Sequence, residues 1–390
     1  MTRLYTALML GTALVLASSP AQSADLGGNC CADLEERIAE LEATTAKKGN
    51  KKVSLRVYGQ VNAALTYVEA GEFDDTRVIQ NGADESFVGF AGSATINPGL
   101  SAGYVLELDA RQFGVLGQQE SLEVNVRQSF WYIKSDALGS LSLGKTGNAT
   151  NNFDKINTAN TAVAIRPLSL QPLSDSQLAG IDLPFDGTYT NVVRYDSASL
   201  AGFFLSASWG ASGPDDSFDT GDVWDVALRY AGEAGGFMLA GGVGYRVDSG
   251  QEIDIHLAGL NLALPTFSET KTLLATGSVM HATSGLFVTA NFADQEWSGG
   301  IGDGLDLQMW QAQAGIETRL SSLGKTTFFG MYGQLDIDGV DAKPELYGAG
   351  IVQAIDAAAM DLYVTYTQYD LDMGDDDTID VIAGGARIRF

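Results

Sequence analysis

Cysteine is nearly absent. The 390-residue chain holds two, Cys30 and Cys31, side by side, so neither an internal disulfide framework nor a four-ligand zinc site can be built. Histidine is as scarce, with His256 and His281 alone. Basic residues are a minority: 23 Lys and Arg stand against 49 Asp and Glu, for a formal charge of −26 and a pI near 4.2. A nucleic-acid binder must neutralise phosphates with Lys and Arg, so nucleic acid is excluded as a partner. Prolines number 8 against 46 glycines. Aliphatic and aromatic residues make up 45% of the chain, which excludes disorder as its main state. The length suits two or three soluble domains or one large β-barrel.

Long apolar runs are missing from the body of the chain. Ser197–Pro214 and Leu273–Ala293 lack charge, but a membrane-spanning helix needs about 20 predominantly apolar residues. Both windows are diluted with Gly, Ser, Thr and Asn. Leu273–Ala282 and Leu286–Ala293 instead read as a hairpin turning at Thr283–Gly285. The one true apolar run is at the start. Arg3, an apolar stretch Leu4–Ala17 and a small-residue segment Ser18–Ala24 have the layout of a secretory signal peptide over residues 1–23. Its removal takes away Arg3 alone among the charged residues, leaving 22 basic and 49 acidic residues, net −27.

Elsewhere the periodicity is two. In Val53–Tyr67 the odd positions include Val53, Leu55, Val57, Val61 and Leu65, and the even ones include Ser54, Arg56, Gln60, Asn62 and Thr66. Leu100–Arg111, Trp224–Tyr230 and Met360–Tyr366 repeat the pattern. An ordinary strand has about 5–6 residues, so fifteen alternating residues are too many for a soluble sandwich. The connections alternate too. Short ones (Asn97–Gly99, Asp136–Ser140, Ser197–Gly202, Thr283–Gly285, Asp356–Ala358) interleave with longer acidic ones (Glu69–Asp84, Gly210–Gly221, Asp294–Asp306, Asp336–Glu345, Asp370–Asp377). Short turns at one end and long loops at the other describe an outer-membrane barrel. Eight hairpins give about 16 antiparallel strands over residues 53–390. Lipid offers no partner to backbone N–H and C=O groups, so a spanning sheet must close. Its apolar face then meets lipid, and its polar face meets an inner space which, at this strand count, is a water channel.

Residues 24–52 precede the barrel as a periplasmic segment. Asp33–Thr45 carries Leu34, Ile38, Leu41 and Thr45 at coiled-coil spacing among Glu35, Glu36, Arg37, Glu40 and Glu42, which predicts a short helix. Alone it is marginal, and a frayed linker is the other reading. Cys30 and Cys31 lie in an oxidising compartment, where they are either crosslinked between chains or left as thiols.

Cys30–Val53 (CCADLEERIAELEATTAKKGNKKV) resembles the N-terminal signature of the alphaproteobacterial outer-membrane porins. Arg127–Phe130, Gly139–Thr146 (GSLSLGKT), Asn191–Tyr195 and the ending Gly384–Phe390 are similar to porins in general, the last as the terminal aromatic strand read by the barrel-assembly machinery. The resemblance implies a homotrimer of sixteen-stranded barrels for passive diffusion, seated in outer-membrane lipid and lipopolysaccharide, with peptidoglycan as a further partner of the N-terminus.

Residues 146–188 contain Pro167, Pro172 and Pro184 and little strand pattern. A loop this long is usually functional, and it resembles the third porin loop, which folds into the channel. Its acids are Asp154, Asp175, Asp182 and Asp186. Strand parity points Arg56, Arg111, Arg127, Arg194, Arg229 and Arg246 inward, along with Glu107 and Asp109, because a Lys or Arg on the lipid face at mid-membrane costs about 2–4 kcal/mol. Arginines facing an acidic loop would set a transverse field across the constriction; paired with Glu107, Asp109 or Asp225, they would only hold the wall. Acidic external loops raise the local cation concentration, which predicts a mild cation preference. No enzyme is expected. Ser278 and His281 lie three apart on a strand and face opposite ways. No phosphate loop, zinc spacing or nucleotide fingerprint appears, so no cofactor or metal site is expected. The reading is an outer-membrane porin passing small hydrophilic solutes and ions, with a substrate-specific channel on the same barrel as the alternative.

Overall fold

The computed structural model describes residues 52–71, 73–113, 121–165, 185–212, 221–253, 256–257, 262–263, 267–299, 304–372 and 378–390. The strands, in chain order, are β1 (Arg56–Ala70), β2 (Phe73–Gln80), β3 (Phe87–Asn97), β4 (Leu100–Phe113), β5 (Ser121–Ser135), β6 (Gly139–Gly147), β7 (Tyr189–Asp196), β8 (Phe203–Ala211), β9 (Asp222–Ala234) and β10 (Phe237–Ile253). A two-residue pair follows, β11 (His256–Leu257) with β12 (Leu262–Ala263). Then come β13 (Phe267–His281), β14 (Leu286–Ser298), β15 (Leu305–Thr318), β16 (Thr326–Ile337), β17 (Glu345–Ile355), β18 (Met360–Asp370) and β19 (Thr378–Arg389).

Each long strand pairs antiparallel with the next, and β19 returns to β1 from Gln60↔Arg389 to Ala70↔Ile379. Strands β2 and β3 both pair with β1, at its upper and lower halves respectively. They are one stave interrupted by residues 81–86, so the closed barrel has sixteen staves. Closure removes every free edge, the condition a strand-built spanner must meet. The segment Glu69–Asp84, expected as a long external loop, is instead a tight β1–β2 connection, the strand β2 and the start of the 81–86 interruption. The N-terminal helix and the paired cysteines fall outside the described residues. Among the described residues there is no α-helix, only a 3₁₀ turn at Asp356–Ala358.

Alternation places side chains as the period implies. On β1, Gln60, Asn62, Ala64 and Thr66 are buried, while Val61 and Leu65 are 53% and 56% exposed on the outer wall. One irregularity matters. Between Glu107↔Gln128 and Leu108↔Val126 the register of β4 and β5 shifts at Arg127. The extra residue of such a bulge breaks the alternation, so Arg127 and Gln128 both point inward. The inner face is not polar throughout. Leu274, Trp297, Leu307, Met309, Leu335 and Ile337 are buried on it and share one cluster with Phe153, Ile156, Val163 and Ile165 of the loop after β6. A loop lodged in the lumen needs an apolar seat to offset its ordering cost.

Candidate pore constriction

Strand β6 ends at Gly147, and the chain turns into the barrel. The buried carboxylate of Asp225 on β9 fixes that turn. It accepts from the N–H of Ala149 at 3.1 Å, the N–H of Thr150 at 2.7 Å and the Thr150 hydroxyl at 2.7 Å, and also from the Ser208 hydroxyl. Arg194 on β7 donates to the carbonyls of Gly147 and Asn148 at 2.7 and 2.9 Å and pairs with Asp196 at 2.7 Å. Arg229 on β9 donates to the Asn151 carbonyl at 2.9 Å, and its guanidinium lies 4.5 Å above the Phe153 ring. That ring rests on β10 where Gly242 and Gly244 leave room: a Cβ would come within 3.1 and 3.0 Å of it.

From there the loop follows the inner wall. Thr158 bonds Ser278 on β13 at 2.9 Å. Asn157 reaches Thr289 on β14 at 3.1 Å, and Asn157 and Thr161 both reach Gln313 on β15. Asn160 donates to Asp361 on β18 at 2.8 Å. The Asn81 amide of the β2–β3 interruption donates to the Val163 carbonyl at 3.1 Å and to the Tyr363 hydroxyl at 2.7 Å.

Two charged groups mark the lumen around this loop. In one, Asp84 takes Lys155 at 3.4 Å and also Arg387, which bonds Asp361 at 2.7 Å; Arg389 lies 3.3 Å from Asp361. Burial alone would raise the Asp84 carboxyl, but Lys155 and Arg387 beside it hold it below the usual carboxylate range. Lys155 is held above its ordinary value, because Asp84 and Asp154 outweigh the burial that would lower it. In the other, Glu107 accepts from the Tyr58 hydroxyl at 2.7 Å and Gln128 at 2.6 Å, with Arg127 at 3.7 Å. Arg127 donates to the Tyr189 hydroxyl at 2.8 Å and lies between the Phe87 and Tyr189 rings, at 4.7 and 5.0 Å.

The sequence-predicted arginines therefore divide. Arg127, Arg194 and Arg246 are inward and matched with Glu107, Asp196 and Asp248. Arg194, Arg229 and Arg246 touch the constriction loop itself, Arg246 through the Asp186 carbonyl at 3.2 Å. They hold the loop from below and do not confront it across a gap, because backbone carbonyls at a chain reversal need donors. Arg56 is exposed on the lumen side, 5.0 Å over the Tyr58 ring. The Arg111 side chain lies outside the described residues, as do Asp175 and Asp182. Asp154 and Asp109 are buried, and Asp186 accepts from the Asn152 N–H at 3.3 Å. Asp84, Asn81 and Asp361 are members of this site that sequence reasoning does not single out. The one available signal was the Asn81-Gly82 break inside an otherwise alternating stretch.

A family model for the Gram-negative porins matches residues 11–375. The chain belongs to the Gram-negative porin family. Solved structures agree on the fold. An anion-selective porin from Comamonas acidovorans aligns at a TM-score of 0.61 with 15% identity, over 87% of this chain and all of that one. The trimer form of OmpT, an outer membrane protein of Vibrio cholerae, aligns at 0.60 with 14% identity, over 87% of this chain and all of that one. Salmonella typhi OmpF, in complex with daunomycin, aligns at 0.54 with 15% identity, over 88% and 99% of the two chains. No curated protein matches. This porin is a β-barrel channel of the outer membrane.

Proposed function

We propose that this porin passes small hydrophilic solutes and ions passively, with a mild preference for cations, through a lumen narrowed by residues 148–165. The observation that carries the reading is the anchoring of that loop across the inner wall from Asp225 to Asp361 by side-chain hydrogen bonds. A fixed loop narrows a channel without stoppering it by motion. Cation preference rests on charge balance. Arg127, Arg194, Arg246 and Arg387 each have a carboxylate partner, so they add little net positive field. Asp109 also lines the wall, and the chain carries 26 net negative charges. Selectivity belongs to the lining and not to the fold, so likeness to an anion-selective porin does not oppose this.

Three copies are proposed to assemble in outer-membrane lipid and lipopolysaccharide, with the N-terminal segment in the periplasm and peptidoglycan as its partner. A substrate-specific channel is the second reading, favoured by Arg127 held between Phe87 and Tyr189, a cation–π arrangement suited to one solute class. Purified porin in a planar bilayer under a salt gradient separates the two. Conductance linear in salt, with a cation-directed reversal potential, supports the first. Saturation, or block by one solute, moves the assignment to the second, and an anion-directed potential refutes the selectivity.

A further inference from the structure

On the short-turn side of Asn62, the residue opposite Arg387, the inner wall from β1 to β5 changes character. Tyr58 of β1 leans over β3. Its ring covers Gly89, where an added Cβ would meet three ring carbons within 2.8 Å. Tyr132 of β5 leans the other way, over β4. Its ring tip covers Gly103, where a Cβ would lie 2.4 Å from it. Each glycine leaves the sheet surface bare, and an aromatic ring from the next stave covers it. The two tyrosines therefore converge across adjacent staves. Phe130 shares the face of Tyr132, with its ring centroid 6.4 Å from that of Tyr132.

Two cations stand beside this aromatic floor. Arg56 is exposed on the lumen side with its guanidinium 5.0 Å over the Tyr58 ring, and its charge also acts on Tyr132. Lys134 follows Tyr132 by two residues, so it shares the inward face. It pairs with no carboxylate among the described residues. Glu107, the carboxylate closest to the floor by register, is already taken by Tyr58 and Gln128. Phe130, Tyr132 and Lys134 are only half-buried, while Trp131 and Ile133 between them are exposed on the outer wall. Floor and cations thus open on the lumen, between the constriction and the short-turn mouth.

A flat ring face beside a guanidinium and an ammonium favours a solute that is both planar and anionic. Aromatic pairs gain from offset or edge-on stacking beyond the area they bury, and a carboxylate at the edge of the solute ring takes charge-assisted hydrogen bonds from the two cations. We infer that Phe130, Tyr132, Arg56 and Lys134 form a binding patch for aromatic carboxylates, the solute ring lying on Tyr132 and its carboxylate between Arg56 and Lys134. The inference rests on the open-channel reading and gives the solute-specific alternative its chemical class. Such a solute is retained by contact and not by the net field of the lumen, so the patch is compatible with a cation-directed reversal potential.

The test uses the full chain in a planar bilayer, with sodium benzoate titrated at constant ionic strength and its dissociation constant read from transient block of the current. Cyclohexanecarboxylate keeps the charge without a flat π face, benzyl alcohol keeps the ring without the charge, and maltose has neither. Benzoate is expected to bind about fivefold more tightly than cyclohexanecarboxylate, the worth of one stacked pair. Tyr132→Leu should erase that difference, and Phe130→Leu repeats the reading should the tyrosine variant not fold. Arg56→Ala with Lys134→Ala should weaken both carboxylates alike. Folded protein that conducts nothing overturns the channel reading and this inference with it. An open channel indifferent to benzoate, or one that holds cyclohexanecarboxylate, benzyl alcohol or maltose as well as benzoate, overturns this inference alone. So does a Tyr132→Leu channel that keeps the parent's preference.

Discussion

Asp225→Ala should release the constriction loop. The carboxylate is fully buried and gathers four donors: two backbone N–H groups, at Ala149 and Thr150, and the hydroxyls of Thr150 and Ser208. Hydroxyls can turn to other acceptors, and the Ala149 N–H also reaches the Ser208 hydroxyl at 3.2 Å, but the Thr150 N–H is left with none. A buried donor left unmade costs about 1–3 kcal/mol, so the docked loop loses roughly that much relative to an undocked one. At 1.4 kcal/mol per factor of ten, the undocked fraction rises roughly 5- to 140-fold. The barrel itself should survive, because its ladder hydrogen bonds are untouched. Single-channel recording of the variant should show a larger mean conductance and added open-channel noise, with heat-dependent gel mobility unchanged. Asp225→Asn keeps one acceptor and should fall between. Conductance and noise matching the parent would refute the claim that this carboxylate holds the loop.

Gly244→Val should act on the same loop from the wall side, since even a Cβ would sit 2.8 Å from the Thr150 methyl and 3.0 Å from the Phe153 ring; conductance should change with little loss of barrel stability, and an unchanged channel counts against the seat. Acid should loosen the second anchor. Asp84 is held below the usual carboxylate range, so its contribution is present above the ordinary value of about 4 and is lost as pH falls through the lower folded value. Channel noise should therefore be flat from pH 5 to 8 and rise only below about pH 4, and Asp84→Asn should show the acid behaviour at pH 7. Gly59→Ala should impair closure, because its Cβ would lie 2.4 Å from the Phe87 carbonyl oxygen and 2.8 Å from the Phe390 ring, beside the Gly59–Phe390 backbone pair; the yield of folded barrel in refolding should drop, and a parental yield would sink the argument.

The staves were legible where the chain crosses lipid. A two-residue period with a hydrocarbon face on one side leaves a plain signature on β1, β4, β9 and β18, and the turns were legible from Gly, Pro and Asn. Strand β2 was not. Asp74, Asp75, Thr76 and Arg77 lie where the stave rises into the loop region, and there no lipid enforces apolar side chains, so strand and loop carry similar composition. The bulge at Arg127 was invisible for the opposite reason. Parity points the Arg127 side chain inward, but nothing local says that Gln128 joins it on the inner face. The anchors of the loop were hidden by distance in sequence, since Asp84 meets Arg387 some 303 residues away and Asn160 meets Asp361 some 201 away.

The division between wall and field follows from where the arginines ended up. An inward arginine on a barrel stave has two uses. It can face open water and shape the potential that solutes cross, or it can satisfy the carbonyls of a chain that has left the sheet. Arg194 and Arg229 do the second: both are buried and donate to backbone oxygens of residues 147–151. Removing such a guanidinium disturbs geometry before it disturbs charge. Arg229→Lys keeps the charge but gives up the planar stacking on Phe153 and the fork that reaches Asn151. Arg56 is exposed and belongs to the first kind, so Arg56→Lys should be nearly silent while Arg56→Ala shifts the reversal potential toward cations. If the lysine variants at positions 56 and 229 behave alike, in conductance noise and in reversal potential, the two roles are not separable and the lumen arginines act together as one field.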